Sequence, residues 1–294
     1  MCRTHLNATS KTKKRWIDRL SLIHTGVTVC TMADVQERSI EYHDQGTDLE
    51  GFLAEPAATY AVGSKLPAVL IIHDWKGLGE YPKSRARQLA RLGYVAFALD
   101  QYGKGIYAKD HQEAAALLAP HTKDSNYAVG RTKAGLQQLL NHPRVDASKI
   151  VAMGYCFGGA CVLELARHGG PVAGVASFHG GVKSWSGVSS ANIKCRVAVF
   201  NGYDDPRVTR EDIQKVTQEM SEGKVDFTFV DFGNTVHAFT VPGAGGAPHL
   251  RYTETADLQS FAFLEFWLRE TFGGVAAPAA ACCASDAAPQ ASCH

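Results

Sequence analysis

The 294-residue sequence has almost no net charge, no long hydrophobic run and no internal repeat. Its 30 lysines and arginines nearly balance 29 acidic residues, so the net charge of +1 gives no general attraction to nucleic acids or membranes. The longest buried-looking segment, residues 66–72, is far shorter than the roughly 20 apolar residues of a membrane-spanning helix. We therefore predict a soluble protein that acts on a small molecule and binds neither nucleic acid nor membrane.

A disulfide framework is also missing, although the sequence contains 8 cysteines. Five of them lie near the chain ends, at positions 2, 30, 282, 283 and 293, and only Cys156, Cys161 and Cys195 fall in the central part. This distribution differs from the cysteine spacing of small secreted domains, so it predicts a reducing compartment such as the cytoplasm. The cysteines near the C-terminus also lack the ligand spacing of a structural zinc site. We expect neither a metal nor an organic cofactor.

The two ends of the chain differ in composition from its middle. Residues 1–31 are basic and contain one acidic residue, Asp18, which is typical of a disordered leader or a mitochondrial transit peptide. Translation from Met32 would leave these residues out of the protein. Residues 273–294 are rich in alanine, proline, serine and cysteine, and have too few large apolar side chains to offset the entropy of ordering. These patterns predict one domain across residues 32–272 and a disordered tail, with a mitochondrial location if the leader is a transit peptide.

Strand and helix patterns alternate through the central part. Continuous apolar runs predict buried strands, and apolar residues at helical spacing predict helices between them. The strands are expected at residues 66–72, 94–99, 148–153, 172–178, 196–200 and 225–229, and the helices at 83–92, 112–118, 128–140, 160–167, 211–220 and 253–272. Residues 39–42 and 49–54 resemble an antiparallel hairpin at one edge. This order predicts an α/β fold with a mostly parallel sheet and helices on both faces.

The strongest chemical signal is a thiol in the motif Gly154-Tyr155-Cys156-Phe157-Gly158-Gly159. A predicted strand precedes the motif and a predicted helix follows it, which is the context of a nucleophile elbow. Glycines two residues before and two after Cys156 suit the sharp turn, because the backbone at those positions comes too close for side chains. Free N–H groups at the start of the helix favour a thiolate and a developing oxyanion. We predict that Cys156 is the nucleophile.

A thiol nucleophile requires a base, and the base requires a group that orients it. Asp205 follows one predicted strand and His237 follows the next, so acid and histidine come after the nucleophile in the order that α/β-hydrolases use. The neighbouring Asp204 is a second candidate for the acid. This order predicts a Cys-Asp-His triad.

The motifs around these three residues resemble the dienelactone hydrolase (carboxymethylenebutenolidase) family of α/β-hydrolases across roughly residues 37–272. The matching segments are Gly-Tyr-Cys-Phe-Gly-Gly at 154–159, Gly-x-x-Asp-x-x-Val at 202–208 and His-Ala-Phe-Thr at 237–240. The family spacing favours Asp205 over Asp204 as the acid. The resemblance implies hydrolysis of lactone or ester bonds through a thioester, with the backbone N–H groups of Phe157 and Trp75 as oxyanion donors.

Further roles follow from the resemblance alone. Asp74 occupies the place of a family glutamate that helps to deprotonate the cysteine, and Lys104 the place of an arginine that binds the substrate carboxylate. A second family arginine corresponds to Val241, which cannot bind an anion. Dienelactone itself is therefore a doubtful substrate. We also expect Trp75, Tyr102 and Phe239 to line the pocket.

Two other classes of protein remain open. A flavodoxin-like thiol enzyme also places a Gly-x-Cys-x-Gly motif after a strand, although the roughly 80 residues between Cys156 and His237 disfavour it. A hydrolase-fold protein that binds a ligand without catalysis would share every motif described above. The oligomeric state is not predicted.

Overall fold

A computed structural model describes residues 34–57 and 65–274 of the chain. The described residues belong to one compact unit. The predicted leader at residues 1–31 and nearly all of the predicted tail lie outside these ranges. From the tail, only Gly273 and Gly274 are described, and they follow the last helix.

The described residues contain eight strands and six α-helices. The strands are β1 (Val35–Asp44), β2 (Thr47–Pro56), β3 (Leu66–Ile72), β4 (Val95–Leu99), β5 (Val145–Tyr155), β6 (Gly174–Phe178), β7 (Arg196–Gly202) and β8 (Phe227–Phe232). The helices are α1 (Glu80–Arg91), α2 (His111–Lys123), α3 (Ser125–Leu140), α4 (Phe157–Arg167), α5 (Arg210–Glu222) and α6 (Glu254–Thr271). Each predicted strand and helix is confirmed, with ends that differ by a few residues.

The eight strands form one sheet in the order β1-β2-β4-β3-β5-β6-β7-β8. Strand β2 pairs antiparallel with β1 and β4, and all other pairs are parallel. The predicted edge hairpin is therefore confirmed. The carboxyl ends of β3, β5, β6, β7 and β8 meet along one edge of the sheet, where ligands bind in open α/β folds.

Two apolar layers cover the two faces of the sheet, because successive side chains of a strand point to opposite faces. On β3, Leu70 and Ile72 pack in one layer, with residues of α3, α4 and α5. Val69 and Ile71 pack in the other layer, with residues of α1 and α6. Both faces of the central strands are thus buried, which explains why these strands are continuously apolar in sequence.

Helix α2 extends beyond its predicted end at residue 118. The side chain of Asp110 accepts a hydrogen bond from the backbone N–H of Glu113 and caps the start of the helix. Pro120 lies inside the helix, where it removes one backbone donor, yet the helix continues to Lys123. The backbone N–H of Asp124 then bonds to the carbonyl of Pro120. The proline therefore weakens this helix without ending it.

The topology also decides between the two folds left open above. A flavodoxin-like protein has five parallel strands in the order 2-1-3-4-5. The described part of this chain has eight strands, with an antiparallel hairpin at one edge. The flavodoxin-like alternative is therefore wrong, and the fold is that of an α/β-hydrolase. Within residues 34–57 and 65–274, no helix combines the length and the apolar character needed to cross a membrane.

Candidate active site

Cys156 lies between the end of β5 and the start of α4, with φ 54° and ψ −111°. A residue other than glycine in this left-handed region carries a strain of roughly 1–3 kcal/mol. Two backbone hydrogen bonds hold the turn, from Cys156 N–H to the carbonyl of Phe178 (2.9 Å) and from Ala160 N–H to the carbonyl of Cys156 (3.2 Å). The thiol is half-buried, at the N-terminus of the helix. This is the geometry of a nucleophile elbow.

Close backbone packing around the elbow explains its glycines. A Cβ added to Gly154 would overlap the backbone of Gly158, and a Cβ added to Gly158 would overlap the carbonyl of Ile72. Only a residue without a side chain fits at either position. The second contact also brings the first turn of α4 directly against the loop that follows β3.

His237 and Asp205 complete a chain of contacts with the thiol. The imidazole Nε2 of His237 lies 3.0 Å from Sγ of Cys156, and its Nδ1 lies 2.7 Å from Oδ2 of Asp205. His237 and Asp205 are buried, at 4% and 3% exposure. The other carboxylate oxygen of Asp205 accepts a hydrogen bond from the backbone N–H of Arg207 at 2.9 Å. The carboxylate is thus fixed in position and orients the imidazole.

Asp204 does not take part in this series of side-chain contacts. It is exposed, and its backbone N–H bonds to the carbonyl of Thr235 at 2.9 Å. The sheet explains the difference, because β7 ends at Gly202 and the turn after it directs the two consecutive aspartates to different sides. Of the two aspartates, Asp205 is the one whose carboxylate contacts His237.

The environment of His237 favours its protonated form. Burial alone lowers the pKa of the imidazole, but the negative charge on Cys156, the carboxylate of Asp205 and the hydrogen bonds to both raise it to about 9. Near neutral pH the ring is therefore an imidazolium, with the proton on Nε2 directed at the sulfur and the proton on Nδ1 directed at the carboxylate. An imidazolium at this distance stabilises negative charge on sulfur.

A cavity of about 390 Å³ opens beside the thiol. Asp74, Trp75, Cys156 and His237 all line it, so four predicted site residues meet around one space. Trp75 and Phe157 belong to the two segments that touch at Gly158, the loop after β3 and the first turn of α4. The N–H groups of a first helical turn have no acceptor within the helix, and that of Phe157 is one of them.

His73 fixes the loop after β3, and the sequence analysis missed it. Its side chain is fully buried, its Nδ1 donates to the carbonyl of Asp74 at 2.5 Å, and its Nε2 accepts from the backbone N–H of Gln101 at 3.1 Å. The hydroxyl of Tyr102 donates to the carbonyl of Trp75 at 3.0 Å. These bonds hold the backbone of Trp75 from both sides. A histidine directly after a buried strand was the available signal.

Asp74 lies at the cavity, but its carboxylate is already used in a turn. Its Oδ1 accepts a hydrogen bond from the backbone N–H of Lys76 at 2.8 Å. Among the residues that the structure describes, no hydrogen bond links this side chain to Cys156. The carboxylate of Asp74 therefore stabilises a turn here.

Three predicted substrate-binding residues lie outside the cavity lining. Lys104 points away, and its Nζ lies 2.7 Å from Oε1 of Glu41 and 3.9 Å from Oε2 of Glu50. Tyr102 stacks on the ring of Phe157. Phe239 is fully buried and packs against aromatic rings in the core. The structure brings together Cys156, Asp205 and His237 and the two segments predicted to supply oxyanion donors, but not these three side chains.

The cavity has other polar walls instead. Among them are Lys76, Tyr81, Tyr107, His111, His179 and Arg207. Arg207 follows Asp205 by two residues and is exposed, and its guanidinium has no hydrogen bond or ion pair with any described residue. His179 is the residue after β6, which places it at the same edge of the sheet as the triad. As with His73, the position of His179 directly after a predicted strand was the sequence signal that could have identified it.

Comparison with known proteins agrees with this geometry. The P91 protein, whose crystal structure describes it as a dienelactone hydrolase-like promiscuous phosphotriesterase from metagenomic libraries, is 34% identical, with a TM-score of 0.75 over 81% of this chain and 98% of its own. The structure named m3DLH is 32% identical, with a TM-score of 0.76 over the same shares of the two chains. A Caenorhabditis elegans protein, K02A2.1, is 35% identical over 147 residues, which are 48% of this chain and 92% of that protein.

The family profile covers the same part of the chain as the described fold. The profile described as the dienelactone hydrolase family matches residues 49–272, which is more than half of the sequence. The match includes the elbow at Cys156 as well as the loops of Asp205 and His237. This chain belongs to the dienelactone hydrolase family.

Proposed function

We propose that this protein hydrolyses lactone or ester bonds of small molecules, with Cys156 as nucleophile and a thioester as intermediate. One observation carries the proposal, the continuous chain from Sγ of Cys156 through the imidazole of His237 to the carboxylate of Asp205, at 3.0 and 2.7 Å. These distances are within the reach that nucleophile, base and orienting group need. Membership of a family of lactone and ester hydrolases supports the reaction class.

In the first half of the reaction, the thiolate of Cys156 attacks the carbonyl carbon and a carbon–sulfur bond forms. The carbonyl oxygen becomes an oxyanion and accepts hydrogen bonds from the N–H groups of Trp75 and Phe157, at roughly 3–4 kcal/mol per donor. As the tetrahedral intermediate collapses, the carbon–oxygen bond of the ester breaks. The departing alkoxide takes the proton from Nε2 of His237. With a lactone, the resulting alcohol stays attached to the acyl group.

In the second half, His237 is neutral and accepts a proton from water. The water oxygen attacks the thioester carbon, and the same N–H groups stabilise the second oxyanion. Collapse then breaks the carbon–sulfur bond and releases a carboxylic acid. Cys156 leaves as a thiolate beside a protonated His237, so the starting pair is restored. Asp205 keeps its negative charge and holds the imidazole in one orientation throughout.

Trapping of the acyl group tests this proposal. The chain is mixed with a chromogenic short-chain ester, quenched in acid during turnover and digested for mass spectrometry. We expect an acyl adduct on the peptide that contains Cys156, because attack by a covalent nucleophile must pass through it. The Cys156→Ala chain is the control without adduct. A protein that binds esters without catalysis would give neither adduct nor turnover, which would overturn the proposal.

A screen of lactones and short esters would then narrow the substrate. The alcohol and acyl groups can be varied separately, since the first leaves before the thioester forms and the second remains on Cys156. A phosphotriester belongs in the same screen, because P91 is described as a promiscuous phosphotriesterase.

We expect substrates with a free carboxylate to depend on Arg207 and not on Lys104. Arg207 lines the cavity and Lys104 does not. An exposed ion pair contributes about 1 kcal/mol or less, so Arg207→Met should lower kcat/KM for a carboxylate-bearing ester by at most about fivefold. A neutral ester of the same shape should be unaffected. The backbone N–H that binds Asp205 is retained in this variant.

Lys104→Met is the matched control, because it removes a long cationic side chain that does not line the cavity. Steady-state kinetics with the charged and the neutral ester should show no loss of the charge preference in this variant. Loss in Lys104→Met with none in Arg207→Met would return the anion-binding role to Lys104.

A further inference from the structure

We infer that His179 is a positioning residue for His237, held as a neutral imidazole with its proton on Nδ1. The inference rests on the proposed function in one respect, that His237 is the catalytic base. The placement and the tautomer of His179 follow from contacts that do not depend on that role.

His179 holds the loop of His237 at three points. Its ring packs edge-on against the ring of His237, with centroids 5.2 Å apart, and against the ring of Phe239, also at 5.2 Å. Its Nε2 lies 2.8 Å from Oγ1 of Thr240. The ring is fully buried, and backbone N–H of His179 donates to the carbonyl of Phe200 on β7 at 2.8 Å. One rigid side chain therefore connects the sheet to residues 237–240.

A directed series of hydrogen bonds determines which nitrogen of His179 carries the proton. Arg85 can only donate, and its Nε donates to the hydroxyl oxygen of Tyr81 at 3.3 Å. Tyr81 donates its single proton to Oγ1 of Thr240 at 2.7 Å. Thr240 then has one proton of its own, and the partner left for it is Nε2 of His179. The nitrogen that accepts this proton cannot carry one, so the proton of the ring is on Nδ1.

This tautomer leaves His179 without a lone pair for catalysis. Nε2 uses its lone pair to accept from Thr240, and Nδ1 carries the proton and has no hydrogen-bond partner within the part of the chain that the structure describes. Burial, together with the positive charge on the neighbouring His237, lowers the pKa of His179 well below its ordinary value. Arg85 and the phenols of Tyr81 and Tyr155 lie on the other sides of this cluster. Of these two neighbouring histidines, only His237 can therefore take a proton from the thiol or from water.

Nitrogen NMR tests the tautomer directly. Long-range proton–nitrogen correlation spectra of the full chain, labelled with ¹⁵N-histidine, distinguish protonated from unprotonated ring nitrogens. We expect His179 to show a protonated Nδ1 and an unprotonated Nε2, with the resonance assigned by its loss in His179→Gln. A wild-type His179 that is protonated on Nε2, or on both nitrogens, would overturn the inference.

Kinetics of Thr240 variants test the positioning role. Thr240→Val keeps the shape of the side chain but removes the hydroxyl that links Tyr81 to His179. Loss of this support should lower kcat on the order of 10- to 100-fold with little change in KM, since small displacements of a catalytic group reduce the rate by such factors. Thr240→Ser retains the hydroxyl and should restore most of the rate. Thr228→Val, at an exposed position of β8, is the matched control and should behave as wild type.

A failure of the positioning role of His179 and a failure of the thioester proposal give different experimental results. If Thr240→Val reacts as fast as Thr228→Val, the positioning role is wrong even when Cys156 forms the expected adduct. If Cys156 forms no adduct while His179 shows the expected tautomer and Thr240→Val slows the reaction, the thioester proposal fails and the role of His179 is supported. A general loss of folding in Thr240→Val would appear in its thermal unfolding midpoint. Tyr81→Phe, which removes the α1 hydroxyl that donates to Thr240, should then reproduce the kinetic effect in a folded chain.

Discussion

Cys156→Ala should abolish the hydrolysis of a chromogenic ester, with a loss of more than about a thousandfold, because no other group can form the thioester. The thermal unfolding midpoint should stay close to that of wild type. Alanine has the same conformational strain as cysteine at the left-handed φ of this turn, and the thiol is only half-buried. Progress curves and thermal unfolding of the two purified chains measure both effects. A variant that keeps more than a few per cent of the rate would remove Cys156 from the mechanism.

Alkylation by iodoacetamide gives an independent measurement on the same residue. Burial raises the pKa of Cys195 to about 11 and that of Cys161 well above its usual range, so neither thiol should react at neutral pH. Cys156 lies beside a protonated His237 and should react. Peptide mapping then separates its adduct from those of the cysteines near the chain ends. Cys195→Ala is the control that should keep both activity and the adduct.

Asp205→Asn should reduce the rate on the order of a thousandfold, whereas Asp204→Asn should leave it nearly unchanged. An amide at position 205 can donate to Nδ1 of His237, which favours the wrong tautomer, and it no longer offers a negative charge to the imidazolium. Asp204 is the matched control, because it is the adjacent residue and bears the same side chain in an exposed position. Steady-state kinetics on both variants checks the ranking. The opposite ranking would assign the acid role to Asp204.

The Asp205→Asn substitution should also change the pKa of His237. The carboxylate of Asp205 and the thiolate of Cys156 together raise the pKa of the ring to about 9. Asp205→Asn removes one of the two negative charges, so the midpoint should shift downward in the same NMR experiment. The two readouts separate a lost orientation from a general loss of folding, which would remove the resonance altogether.

The elbow and the sheet could be predicted because they depend on local patterns of sequence. The glycines at 154 and 158 form a short local motif around Cys156, and the continuous apolar runs reflect strands buried on both faces. The choice of Asp205 over Asp204 needed the family spacing, since both follow the same strand. The elbow motif and the apolar runs are visible in the sequence because each is a pattern of residues that are close together along the chain.

The pocket walls could not be predicted in this way. The direction of Lys104 depends on the loop after β4, where Oδ1 of Asp100 accepts from the N–H groups of Tyr102 and Gly103, and on Glu41, which is 63 residues away. His179 gains its role from contacts with Thr240 and His237 that cross about 60 residues. No local pattern records such pairings. The same reason explains why the imidazole of His73 was missed.

The triad joins segments that are far apart along the chain, and this affects how the protein acquires its reactivity. Cys156 and His237 are 81 residues apart, and β6, β7 and β8 must all pair in parallel before the two side chains can meet. Contacts of such long range form late and slowly during folding. A nascent or partly refolded chain therefore lacks the contact between His237 and Cys156. In the proposed mechanism, completion of the sheet is the step that brings the base to the nucleophile.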